Sequence, residues 1–133
     1  MIDPKYFFYI RQELSDVPEE YVSDEVILRS LQKADRFLDL ILRSDVDIGT
    51  REECLISLAT YFTYLNYTSV VARGLGSTPE YSDERAERLR NIALMFIRPN
   101  SDFVINDDLT IDFEGSNKRV VQFTTTGIFG EVQ

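Results

Sequence analysis

No histidine occurs among the 133 residues, which removes the commonest general base and the commonest metal ligand. There is a single cysteine, Cys54, so neither an internal disulfide nor a thiolate metal site can form, and a Cys–His nucleophile is excluded. No apolar run approaches the roughly 18 residues of a membrane span. The opening Met1-Ile2-Asp3-Pro4-Lys5 lacks the basic segment and apolar stretch of a secretory signal. Positive charge is scarce, with 14 Lys and Arg against 23 Asp and Glu and a formal net charge of −9. Such a chain is not expected to wrap phosphates with a basic face. The expectation is an intracellular soluble protein, or part of something assembled inside a cell, with no catalytic activity and no cofactor.

What is present suits one ordinary domain. Hydrophobic residues make up 44% and charged residues 28%, near globular averages. A chain of this length buries roughly two-thirds of its unfolded surface, enough for a real core. Residues 1–98 carry helical signals. Asp3 is a plausible cap with Pro4 in the first helical position, and Tyr6, Phe7 and Ile10 share one side of a helix over 4–14. Ser23 caps a helix over 24–43, whose seam is Ile27, Leu31, Ala34, Leu38 and Ile41, widened by Phe37. Thr50-Arg51-Glu52-Glu53 matches a capping box for a helix over 51–73, with Leu55, Leu58, Ala59, Phe62, Leu65 and Ser69 on one face. A fourth helix, over 83–97, has the seam Leu89, Ile92, Ala93 and Phe96, and Pro99 ends it. Short connections imply a bundle of antiparallel neighbours.

After Pro99 the pattern changes. Phe103-Val104-Ile105 is a short apolar run and Asn106-Asp107-Asp108 a turn, after which Leu109, Ile111 and Phe113 alternate onto one face. Residues 118–125 are rich in β-branched side chains and read as a strand. The fold class is therefore mainly α, a four-helix bundle (1–98) with a C-terminal β-hairpin and interaction tail (99–133) too small to be an independent domain. Val120, Phe123, Ile128 and Phe129 have few local strands to cover them and are expected to meet another chain.

Candidate chemistry rests on carboxylates. Asp35 and Asp39 lie four apart on one helix face, and Asp45 and Asp47 flank a turn. Two carboxylates can serve as acid and base, but both pairs sit where solvated faces and caps ordinarily carry charge. Asp45-Val46-Asp47-Ile48-Gly49 opens like a calcium loop without the remaining ligands. Gly74-Leu75-Gly76-Ser77-Thr78 lacks the preceding strand and following Lys of a phosphate loop. Aromatic side chains carry the sharper signal. Tyr61 and Tyr64 lie off the seam of the third helix, and four consecutive aromatics at Tyr6-Phe7-Phe8-Tyr9 cannot all face one core. Tyr6, Phe7, Phe8, Tyr61 and Tyr64 are accordingly candidate partner or oligomer contacts.

The layout resembles the head–tail connector, or adaptor, proteins of tailed bacteriophages. The resemblance is carried by a short opening helix, Ser23-Asp24-Glu25-Val26-Ile27 leading a long helix, Leu58-Ala59-Thr60-Tyr61-Phe62 in the next, and the Gly74-Leu75-Gly76-Ser77 loop before the last helix. It implies a structural virion protein of the neck, assembled in the host cytoplasm as a ring, typically dodecameric, beneath the portal protein. It also implies a further neck or tail protein as partner, and DNA only as a polymer passing through the ring. A different class fits the charge as well: a small acidic helical regulator or inhibitor, a DNA mimic that binds a basic protein.

Overall fold

A computed structural model describes residues 3–74 and 84–112, and the backbone of residues 120–122. Its α-helices are α1 (Lys5–Glu13), α2 (Asp24–Ile41), α3 (Ile48–Gly74) and α4 (Glu84–Ile97), with 3₁₀ turns at Glu19–Tyr21 and Arg98–Asn100. Three short strands follow: β1 (Val104–Ile105), β2 (Thr110–Asp112) and β3 (Val120–Gln122). The chain is a mainly helical bundle with a small antiparallel sheet near its C-terminal end, as its pattern predicts.

Local chemistry accounts for each boundary. The Asp3 carboxylate accepts the Lys5 N–H at 2.9 Å, and Pro4 takes helical dihedrals where its missing N–H costs nothing. Ser23 caps α2 by accepting the Val26 N–H. That helix stops two residues short of expectation because Leu42 turns extended and bridges Ser101, while the Arg43 N–H donates to the Asn100 carbonyl at 3.0 Å.

The start of α3 corrects the sequence reading. No Thr50–Glu53 box forms; Asp47 is the cap, accepting the Thr50 N–H at 3.2 Å and its hydroxyl at 2.7 Å. Those bonds hold the Asp47 carboxyl below the usual carboxylate range. Asp47→Ala is therefore expected to lower the thermal midpoint while Glu53→Ala leaves it nearly unchanged. The Asp47 contribution exists above the ordinary carboxylate pKa and fades as pH falls through its lowered one, so the two variants should converge in acid. Equal midpoints at neutral pH would restore the box.

α3 is the central helix. It packs against α1, α2, α4 and the first 3₁₀ turn, and Cys54, Leu58, Ala59, Phe62 and Thr63 are all buried along it. The α2 seam is buried at every expected position, Phe37 included. The α4 seam is rotated from expectation: Ala86, Leu89, Ala93, Leu94 and Ile97 are buried, whereas Ile92 is exposed and Phe96 half-buried. Residues 93–97 are all apolar, so two helical stripes are available there, and packing on α3 selects the one through Leu94 and Ile97.

The sheet runs β1-β2-β3, antiparallel throughout, with Ile105 opposite Ile111 and Ile111 opposite Val121. Its first turn is tightly bonded. Asn106 N–H donates to the Thr110 carbonyl at 2.8 Å, and Asp108 accepts both the N–H and the hydroxyl of Thr110. The turn forces Leu109 to φ +66°, and Leu109 is nonetheless buried. A left-handed residue costs roughly 1–2 kcal/mol, and burying a Leu returns about 1.5–3 kcal/mol, so the strained turn is affordable where the side chain reaches the core. Thr110 rather than an alternating apolar residue is buried beside Ile111, its hydroxyl satisfied by Asp108 and by the Asn106 amide at 2.8 Å. Phe113 lies outside the described residues. Ile105, Leu109 and Ile111 belong to the same apolar cluster as the helices, so this region lies on the bundle.

Candidate functional site

The aromatic candidates divide by burial. Tyr6 points inward; its hydroxyl donates to Glu52 Oε2 at 2.7 Å, and burial together with that carboxylate pushes its pKa up to about 12. Tyr64 is also interior, its ring 6.0 Å from Tyr67 and 5.0 Å from the Arg85 guanidinium. Both rings belong to the chain's own apolar core. Tyr61 is half-buried beside Phe62, and burial raises its pKa against the nearby Arg90. Phe7 is half-buried and packs on the core, whereas Phe8 is 63% exposed and its ring meets Tyr9 edge-on at 5.8 Å. The four consecutive aromatics thus split between core and solvent, as helical geometry requires.

The C-terminal candidates are placed in part. Val120 opens β3 opposite Asp112, so residues 120–122 pair with this chain's own β2. Phe123, Ile128 and Phe129 lie outside the described residues, as do Leu75, Gly76 and Ser77 of the glycine loop.

The carboxylate pairs have structural employment. Asp35 and Asp39 both grip Arg51 Nη2, at 2.7 and 2.8 Å, which ties α2 to the first turns of α3. Asp45 meets Arg43 at 3.4 Å, and Asp47 caps α3. Cys54 is fully buried, and that burial pushes its thiol up to about 11. Among the described residues no group of three Cys, Asp or Glu side chains is arranged to hold a metal ion.

Two of the grooves among the described residues were not singled out in the sequence. The first is a groove of about 530 Å³ between α1, α3 and α4, where Tyr9, Ile56, Leu89, Ile92 and Phe96 supply the apolar lining. Phe8 adjoins it through Tyr9, and Met95, 71% exposed, lies one turn from Ile92 on α4. Its signal in the sequence was the surplus of apolar residues at 92–97 beyond what one helix face can bury. The second is a smaller groove between α2 and α3, of about 170 Å³, with basic side chains at both ends. Its signal was the pair Arg29 and Lys33, four apart on the helix, whose stripe faces Arg73. No protein-family model, curated protein or solved structure matches the chain.

Proposed function

We propose that the chain is a structural assembly subunit, a head–tail connector or adaptor that forms a ring below a phage portal protein and lets DNA pass. The observation that carries the reading is the exposed apolar strip on α1 and α4, with Phe8, Tyr9, Ile92 and Met95 all open to solvent. Contiguous apolar surface of this kind marks an interaction site. A contact made by unlike faces of identical subunits closes into a ring when its rotation permits. Among the described residues β3 is an edge strand of the sheet, and its outer edge can accept a strand from the portal, a neighbouring subunit or a further tail component. A net charge of −9 suits a channel lining that repels phosphates and does not hold passing DNA. Under this reading the protein works in the virion neck, and its carboxylates serve as caps and ion pairs.

The test is native mass spectrometry with sedimentation velocity across a range of protein concentrations. The expected result is a closed oligomer that Phe8→Asp or Met95→Asp dissociates without unfolding the monomer. A wild-type chain that stays monomeric overturns the ring. If that monomer instead forms a one-to-one complex with a basic protein, the acidic-inhibitor reading replaces it.

A further inference from the structure

The ion pairs of the fold are distributed unevenly. Lys5, Arg11, Arg43, Arg51, Arg85 and Arg98 each meet a carboxylate, and most of these contacts clasp one element to another. Arg11 joins α1 to Asp24 at the start of α2, and Arg85 joins α4 to Asp16 at 2.6 Å. Arg29 and Arg73, like Arg88 and Arg90, make no ion pair among the described residues, in a chain with a surplus of nine carboxylates. Arg29 and Arg73 both line the α2–α3 groove, and among the described residues no acidic side chain lines it with them. Lys33 contributes a third cation, its Nζ 4.7 Å from the centre of the Phe62 ring. Ser30, Asn66 and Ser69 add hydroxyl and amide groups between the charges.

The convergence follows from the helix periods. Arg29, Ser30 and Lys33 share one stripe of α2, and Asn66, Ser69 and Arg73 share one stripe of α3. The two helices run antiparallel across a short link, so the start of one stripe faces the end of the other. We propose that this groove is a phosphate-binding notch, in which Arg29, Lys33 and Arg73 supply charge and Ser30, Asn66 and Ser69 supply directed hydrogen bonds.

Charge and size favour a phosphate over a carboxylate. A phosphate group carries about −1.5 to −2 at neutral pH and three strong acceptor oxygens, which three cations can match. A lone carboxylate would leave one of Arg29 and Arg73 without a partner among the described residues. The groove's volume of about 170 Å³ is many times the roughly 10–15 Å³ that one water needs by the same measure, so a tetrahedral anion fits with room for bridging water. Guanidinium groups suit the task because their planar forks meet two oxygens at once. Burial lowers the Lys33 ammonium to about 8, and a bound dianion beside it offsets that effect. The phosphate can belong to a small phosphorylated molecule or to a nucleic-acid backbone, and the groove recognises what the two share.

The experiment follows ¹H–¹⁵N spectra of the full chain as inorganic phosphate is added, with chloride holding ionic strength constant. Saturable shifts are expected at the Asn66 side-chain amide and at the Nε groups of Arg29 and Arg73. The double variant Arg29→Gln/Arg73→Gln should keep the dispersion of a folded chain and bind phosphate about tenfold or more weakly. A short DNA duplex forms the second arm. Competition between duplex and phosphate for the same signals assigns the notch to a nucleic-acid backbone; phosphate binding without competition assigns it to a small phosphorylated ligand. Shifts that chloride alone reproduces, that never saturate, or that survive in the double variant overturn the proposal.

Discussion

Phe37→Ala is expected to cost about 3–5 kcal/mol of folding stability, the upper range for truncation of a buried aromatic side chain. Phe37 has no exposed surface and is the largest of the fully buried side chains. It stands one residue before Leu38 and three after Ala34, both also inaccessible, so its ring widens the α2 stripe. Alanine would remove the ring and leave a void among side chains that can close over it only partly. Against a total stability of about 5–15 kcal/mol for a domain, the loss is large enough to leave some of the chain unfolded at ambient temperature. Urea denaturation read by far-ultraviolet circular dichroism measures it. Ile48→Ala is the control, since Ile48 is 79% exposed at the start of α3 and should stay within about 0.5 kcal/mol of wild type. Similar midpoints for the two variants would mean that the α2 seam is not the core.

The α2 helix was legible because its sequence offers one apolar stripe and one cap. α3 was legible as a helix, but its extent of burial was not. Thr60 and Thr63 are buried because their hydroxyls donate to the Ile56 and Ala59 carbonyls, at 2.7 and 2.8 Å. A hydroxyl that satisfies itself one turn back behaves as a small apolar group, and residue type alone does not reveal it. α4 was ambiguous because six consecutive apolar residues, 92–97, permit two stripes, and the choice belongs to its neighbour. Asp47 displaced Thr50 as the cap because both residues are good caps and helix starts slip easily by a few positions. How deeply Tyr6 and Tyr64 sit was not legible, because a ring with a polar tip can stay inside when a partner meets that tip. Glu52 meets it for Tyr6, and that partner lies 46 residues away in the chain. The α1–α4 strip was invisible for the same reason: it exists only once packing has decided which apolar residues are left outside.

Ile111→Ala is expected to cost about 2–5 kcal/mol, although it lies beyond the helices in a strand of three residues. A two- or three-stranded fragment of this size is marginal alone, so its order must come from the bundle. The structure shows how. Ile111 has no exposed surface and shares a cluster with Ile105, Leu109 and the helical core. The Arg98 guanidinium at the end of α4 donates from Nε and Nη2 to the Ile105 carbonyl, at 3.0 and 2.7 Å, and from Nη2 to Asp107. The Leu42–Ser101 bridge fixes the other side of the same connection. If this region is one cooperative unit with the bundle, truncating Ile111 shifts the helical signal and the hydrogen-exchange protection of the β1–β2 amides by the same free energy. Val104→Ala should move neither by more than about 0.5 kcal/mol, because Val104 faces solvent one residue from Ile105. The opposing outcome is specific: strand amides that lose protection while the helices denature at an unchanged urea concentration. That would make residues 99–133 an appended element whose order comes from a partner in the assembly.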